Sequence, residues 1–271
     1  MYTTFTTNKY LRKKSKTMLK KLFFLLIIIS FSPIFSFCQT PNTLTAKEKA
    51  DGWQLLFDGK DLKGWHSYLE KEPGKAWQVH NGMIMLNKNS KSVYDDFADL
   101  VTDAEYENFD LKLEWKMVPC ANSGVMFYVN ESPQYKNTYE TGPEMQITDL
   151  SCLYTSDHSS ISDSRINMHR AGALYDLAPA DTEWVNPAPK WNQYEIIANN
   201  GHVQFFQNGH KVVDTEFWNN NWWKIISRTK FHQWPDFGTF RKGHISLQGT
   251  EDGKLWFRNI KIKTFRFGPA G

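Results

Sequence analysis

The chain has 271 residues, of which 41% are hydrophobic and 15% aromatic, with a formal net charge of +3. That is enough apolar material for one large domain with its own core. There is no basic stripe and no nucleic-acid motif, which argues against a nucleic-acid partner. Trp is abundant, with 11 residues. Such rings fill cores, and they also stack on the flat C–H faces of sugars.

The N-terminus reads as a targeting segment. Lys13, Lys14, Lys16, Lys20 and Lys21 precede an apolar run that begins at Leu22 and continues to Phe37 with Pro33 inside it. The run is short for a membrane span and has the layout of a secretory signal, with Met18 as an alternative start. Residues 1–38 are therefore expected to be a signal peptide cleaved after Cys38, and residues 39–50 a polar linker. The mature chain would be exported, periplasmic or secreted, without a transmembrane span. Acylation of Cys38 would instead anchor a lipoprotein, but Phe37 is bulky for a lipobox.

Residues 51–267 read as one domain of short strands. Gln54 to Phe57 is the first, ended by the turn Asp58-Gly59-Lys60. Trp77 to Val79 and Met83 to Leu86 flank His80-Asn81-Gly82, a hairpin signal. Phe109 to Lys116 alternates strictly, as a half-solvated antiparallel strand does. Gly124 to Val129, Glu144 to Ile147 and Trp191 to Ala198 follow. Val203 to Phe206 and Lys211 to Val213 flank Asn208-Gly209, and Gly243 to Gln248 and Leu255 to Lys263 complete the set. No long stretch carries a helical apolar period. The pattern is all-β, an antiparallel two-sheet sandwich. Two irregular segments, 150–190 and the aromatic-rich 217–241, could rim a cleft on one sheet face. Cys120 and Cys152 flank the strands at 124 and 144; they could pair in an exported protein or stand as two buried thiols.

Side chains at i and i+2 of a strand share a face. Glu144 and Gln146 should therefore project together, with Asp149 joining them only at a bulge or strand end. Polar groups on a sheet face are costly to bury without partners, so this face suggests a wet cleft for a polyhydroxylated ligand.

Several strings, taken in order, resemble the 3-keto-disaccharide hydrolase family. They are Phe57-Asp58-Gly59-Lys60-Asp61-Leu62-Lys63-Gly64-Trp65, Asn122-Ser123-Gly124 and Glu144-Met145-Gln146-Ile147-Thr148-Asp149, then Gly172-Ala173-Leu174-Tyr175 and Trp191-Asn192. Asn208-Gly209-His210-Lys211-Val212, Gly243-His244-Ile245-Ser246-Leu247-Gln248 and Phe257-Arg258-Asn259-Ile260 follow. The resemblance implies a concanavalin A-like, laminin-G-like jelly roll with long loops around one concave face. It also implies cleavage of glycosides or disaccharides already oxidised to a ketone at C3, by elimination, by hydrolysis, or both. Two departures stand out. The family's Asp-His after Leu-Gln is replaced by Gly249-Thr250, which could alter a site loop, and its Trp-Leu-Asn-Gly is Phe206-Gln207-Asn208-Gly209, expected to change only a hairpin face.

A ketone at C3 acidifies the proton at C2, and the resulting enolate can expel the group at C1. Such a site needs a base, a cation near the C3 oxygen and an acid for the leaving oxygen. Glu144, His169 and Lys230 are the catalytic candidates. Asn122, Gln146, Asp149, Arg170, Tyr175, His244 and Gln248 are the substrate-binding candidates, His244 because it shares a strand face with Gln248. Asp157 and His158 could belong to a lid. One divalent metal is conceivable, with Glu144, Asp149 and His169 as the candidate ligands, but no tight ligand spacing supports it. Each residue also has a plainer reading: an ion pair for Glu144, a turn for Asp149, a surface charge for Arg170 or Lys230, core packing for Tyr175. Two other functions compete. Glu144-x-Gln146-x-x-Asp149 superficially resembles a laminarinase-like strand, and sandwiches of this kind also serve as non-catalytic carbohydrate-binding modules.

Overall fold

The structure is a computed structural model. It describes residues 40–87, 99–152, 163–180, 184–250 and 254–265. The signal segment, Cys38, Asp157 and His158 lie outside the described residues.

The strands are β1 (Gln54–Leu55), β2 (Trp65–Ser67), β3 (Trp77–His80), β4 (Met83–Leu86), β5 (Leu100–Tyr106), β6 (Phe109–Met117) and β7 (Asn122–Val129). They continue as β8 (Glu144–Thr148), β9 (Asn192–Asn199), β10 (His202–Gln207), β11 (His210–Glu216), β12 (Gly243–Leu247) and β13 (Leu255–Thr264). Three short helices, α1 (Ala46–Ala50), α2 (Asp163–Ile166) and α3 (Asn220–Ile226), accompany them. An eight-stranded sheet runs β11-β10-β9-β6-β13-β4-β3, with β1 also paired to β13, and a five-stranded sheet runs β2-β5-β12-β7-β8. All of these pairings are antiparallel. The all-β two-sheet sandwich expected from the strand pattern is what forms.

Alternation explains the packing. Phe109, Leu111, Leu113, Trp115 and Met117 of β6 point inward and are buried, while Asp110, Lys112, Glu114 and Lys116 are half-exposed on the other face. From the five-stranded sheet, Val125, Phe127, Met145, Ile147, Ile245 and Leu247 enter the same core. Burying each such large apolar side chain is worth about 1.5–3 kcal/mol. The hairpin turns use the residues that tolerate left-handed backbone. Asn81 and Gly82 (φ 50° and 71°) join β3 to β4, and Asn208 and Gly209 (φ 49° and 83°) join β10 to β11.

Residues 40–50 differ from the expected free linker. Asn42 is 7% exposed; its backbone N–H donates to Asn259 Oδ1 at 2.6 Å and its Nδ2 to the Gly82 carbonyl at 2.7 Å. Helix α1 starts with a Thr45–Glu48 capping box, and Glu48 also pairs with Lys261 of β13. One amide serving the β3–β4 turn and the Asn259 backbone of β13, and one carboxylate serving both a cap and a lysine, dock this stretch on the sheet. Cys120 and Cys152 form a disulfide with a Cα–Cα distance of 5.2 Å, within the usual reach of such a bridge.

Candidate active site

Strand β8 is the outer strand of the five-stranded sheet, and its alternation puts Met145 and Ile147 into the core and Glu144 and Gln146 on the outer face. Beside β8 runs the segment 172–175. Gly172 N–H donates to the Gln146 carbonyl (2.8 Å), Gln146 N–H to the Ala173 carbonyl (3.0 Å) and Tyr175 N–H to the Glu144 carbonyl (2.9 Å). This ladder fixes Tyr175 next to Glu144. It depends on Gly172, whose φ is +87° and where an added Cβ would lie 2.3 Å from Gln207 Oε1. Gln207 thus reaches from its hairpin to the base of the site, beyond the local hairpin role expected for it.

The second irregular segment supplies the opposite wall. Asn219 caps α3 by accepting from Trp222 N–H at 2.8 Å. Aromatic stacking of Phe217 on Trp222 (3.8 Å between centroids) and of Phe231 on Phe237 (3.9 Å) then holds the chain that carries Lys230. Lys230 Nζ lies 3.2 Å from the Tyr175 hydroxyl and 4.5 Å from its ring centroid.

The result is a cleft of about 260 Å³ lined by Asn122, Tyr139, Gly142, Glu144, Gln146, Tyr175, Lys230, Phe231, Trp234 and Gln248. Of the residues singled out from the sequence, Asn122, Glu144, Gln146, Tyr175, Lys230 and Gln248 meet here. Glu144 is 6% exposed. Its carboxyl lies over Gly124, where a Cβ would fall 1.6 Å from Oε1, so β7 supplies a bare floor. Burial, with the charge of Asp99 adding to it, pushes Glu144 up to about 8, while Lys230 opposes the rise. Burial and Glu144 together raise Tyr175 to about 12. The Gln146 amide donates to Asn122 Oδ1 at 3.1 Å. Turned over, its nitrogen lies 3.2 Å from Glu144 Oε1 and 3.3 Å from the Ser123 carbonyl. Gln248 Oε1 is buried without a protein partner, an acceptor available to a ligand hydroxyl.

Other candidates lie elsewhere. His169 does not line the cleft. Its Nε2 is 3.0 Å from Asp176 Oδ1, a carboxylate that also pairs with Arg165, and its ring packs on Tyr175 at 4.6 Å between centroids. It stands one layer behind the cleft. Burial works against the Asp176 charge, yet the bonds from His169 and Arg165 hold its carboxyl below the ordinary value. Arg170 is likewise outside the lining residues. Asp149 follows the turn reading: it accepts from Cys120 N–H (2.9 Å), Ser151 N–H (3.1 Å) and Ser151 Oγ (2.8 Å), which fixes the disulfide loop. His244 was expected to share a strand face with Gln248. Gln248 follows the end of β12 at Leu247 and lines the cleft, whereas His244 belongs to another cluster. Its Nδ1 is 2.6 Å from the Thr102 carbonyl, and its ring stands 6.2 Å from that of His66. His66 bridges Asp103 (2.7 Å) and Glu131 (2.9 Å).

The proposed metal ligands do not gather. Glu144 is in the cleft, Asp149 at the disulfide and His169 behind Tyr175. Among the described residues, the one close group of three candidate ligand side chains is Cys120, Asp149 and Cys152, and its sulfurs are bonded to each other.

Sequence reasoning missed Tyr139, Gly142 and Asp99. Phe231 and Trp234 were visible only as part of an aromatic-rich segment. Tyr139 stands edge-on to Trp234 at 5.3 Å, forming an apolar rim opposite the amides. At the Gly249-Thr250 departure, Gly249 N–H donates to Asp99 Oδ1 (2.8 Å) and Thr250 Oγ1 to the Asn122 carbonyl (2.6 Å), so that loop is closed onto the sheet.

Comparison with known proteins agrees with this geometry. The chain is 28% identical over 242 residues to a 3-keto-disaccharide hydrolase of Bacteroides thetaiotaomicron, covering 82% of this chain and 81% of that relative. A crystal structure of a candidate glycosyl hydrolase from Parabacteroides distasonis superposes with a TM-score of 0.73 at 32% identity, over 84% of this chain and 100% of that one. A second candidate glycosyl hydrolase from the same organism gives 0.57 at 25% identity, over 79% and 99%. The 3-keto-alpha-glucoside-1,2-lyase-like domain model matches residues 52–263, and the chain belongs to that family.

Proposed function

We propose that this protein cleaves glycosides oxidised to a ketone at C3, and that Glu144 carries the proton transfers. The observation behind this reading is one buried carboxyl, held near 8, facing a lysine and a tyrosine hydroxyl across a sugar-sized cleft. A group poised near the working pH can both take and return a proton. As a carboxylate, Glu144 removes the proton at C2. The electron pair forms the enolate, whose oxygen charge is offset by the Lys230 ammonium. Collapse of the enolate forms the C1–C2 double bond and breaks the bond from C1 to the leaving oxygen, which takes a proton from Glu144. Water added across that double bond would give net hydrolysis. Asn122, Gln146 and Gln248 would hold ring hydroxyls, and Tyr139 and Trp234 would face the apolar side of the sugar.

The cleft volume of about 260 Å³ is just below the roughly 300 Å³ at which drug-sized ligand sites begin. It would take the oxidised ring and leave the group at C1 outside. A retaining glycosidase needs a second carboxyl about 5–5.5 Å from the first. Asp149, the residue that reading requires, is committed to the disulfide loop.

The test is to incubate purified protein with a 3-keto-disaccharide or a 3-keto-aryl glucoside in D₂O, with and without chelator. Product release, with solvent deuterium entering C2 of any hydrated product, is expected from the wild type and not from Glu144→Gln. Equal turnover by the two proteins would sink the assignment.

Export is proposed on the N-terminal segment and on the Cys120–Cys152 bridge, which suits an oxidising compartment. Among the described residues, no helix is long and apolar enough to cross a membrane.

A further inference from the structure

The carboxylate of Asp99, just before β5, belongs to no sequence motif, yet its two oxygens tie together two segments that border the cleft. Oδ1 accepts from Gly249 N–H at 2.8 Å, and Oδ2 accepts from the Thr138 hydroxyl. The Asp99 carbonyl accepts from Tyr68 N–H at 2.8 Å, which fixes its own backbone. Gly249 follows Gln248, and Thr138 precedes Tyr139. The Thr138 carbonyl in turn accepts from Gly142 N–H at 2.9 Å. Gln248, Tyr139 and Gly142 all line the cleft.

A carboxylate accepts at both oxygens, so one side chain serves both donors. Among the described residues, its side-chain partners are an amide and a hydroxyl. Burying such a charge is unfavourable, and burial raises Asp99 to about 6 even though both bonds oppose the rise.

We propose that Asp99 is a positioning residue: it holds the Gln248 edge and the Tyr139 loop at their distance across the cleft. That these segments border a catalytic cleft rests on the proposed function. The test is therefore built on readouts that need no substrate. Asp99→Asn keeps the shape and can still bridge, since the Thr138 hydroxyl can accept as well as donate, but it removes the charge. Asp99→Ala removes the bridge as well.

Hydrogen exchange on the folded protein is expected to speed up at least tenfold at Gly249 and across 138–142 in Asp99→Ala, and to stay near wild type in Asp99→Asn. Where Asp99→Ala does not fold, Asp99→Ser takes its place, expected to speed exchange at one of the two segments. Unchanged exchange in the truncated variant overturns the bridge. Failure of keto-glycoside cleavage would leave this measurement standing, so the two ideas fail separately.

Discussion

Replacing Glu144 with Gln should abolish activity and yet stabilise the protein at alkaline pH. The native carboxyl titrates near 8 against an ordinary value of 4.5. Between those values the folded state holds a proton that the unfolded chain has lost. Stability contributed by this group is therefore complete below about 4.5 and is lost as pH rises through 8. At about 1.4 kcal/mol per tenfold change in the constant, the ceiling on that loss is about 4–5 kcal/mol. Gln cannot ionise, so the variant escapes it. Even half the ceiling, about 2 kcal/mol, moves Tm by roughly 4–8 °C in a domain of this size. The assay is thermal unfolding of both proteins from pH 5 to pH 9.5. The variant's Tm should gain on the wild type as pH rises from 5 to about 8 and level off above that. Comparing the two proteins largely cancels the other raised carboxyls, Asp99 and Asp110. A Tm difference that is the same at pH 5 and pH 9.5 would refute the claim that this carboxyl is held protonated by burial.

Gly124→Ala should drive the Glu144 carboxyl off its floor, because the new Cβ would sit 1.6 Å from Oε1. A displacement of that order can reduce kcat by about 100-fold, measured alongside circular dichroism to establish that the sandwich is intact. Lys230→Met should lower kcat by roughly 100- to 1,000-fold. Because Lys230 holds Glu144 down, its loss should also move the Glu144 limb of the pH–rate profile to higher pH; a limb that stays in place would separate the two residues. Cys120→Ser with Cys152→Ser opens a loop of 32 residues. That should reduce unfolding free energy by about 3–4 kcal/mol in urea titrations, and an unchanged midpoint would show that the bridge constrains nothing.

Period-2 alternation was enough to place Glu144 and Gln146 on one face, because β8 is regular from Glu144 to Thr148. The same rule carries no information past the strand end, so Asp149 stayed open between site and turn until its bonds to Cys120 and Ser151 decided it. Parity put His244 with Gln248, but parity fixes a side of a sheet and not a distance along it, and His244 lies beside His66 instead. Lys230 and Tyr175 were reachable only through resemblance, since their meeting depends on two irregular segments with no period of their own. Asp99 left no trace in the sequence because it acts on a backbone amide at Gly249 and a hydroxyl at Thr138, contacts that no motif around residue 99 encodes.

What the strands do encode is a conflict, and the conflict marks the site. A carboxyl on a sheet face, roofed by aromatic side chains and set beside a second acid, violates the rule that buried charges are paired. Lys230 is the nearest remedy, but it bonds the Tyr175 hydroxyl rather than closing an ion pair on Glu144. Gly124 gives up side-chain packing at the same point. A sandwich selected for stability alone would place an apolar residue at 144 and fill the space above Gly124, as it does with Met145 and Ile147 on the opposite face of the same strand. A buried carboxyl and a bare glycine floor meeting at one place support the proposal that this cleft is kept for chemistry.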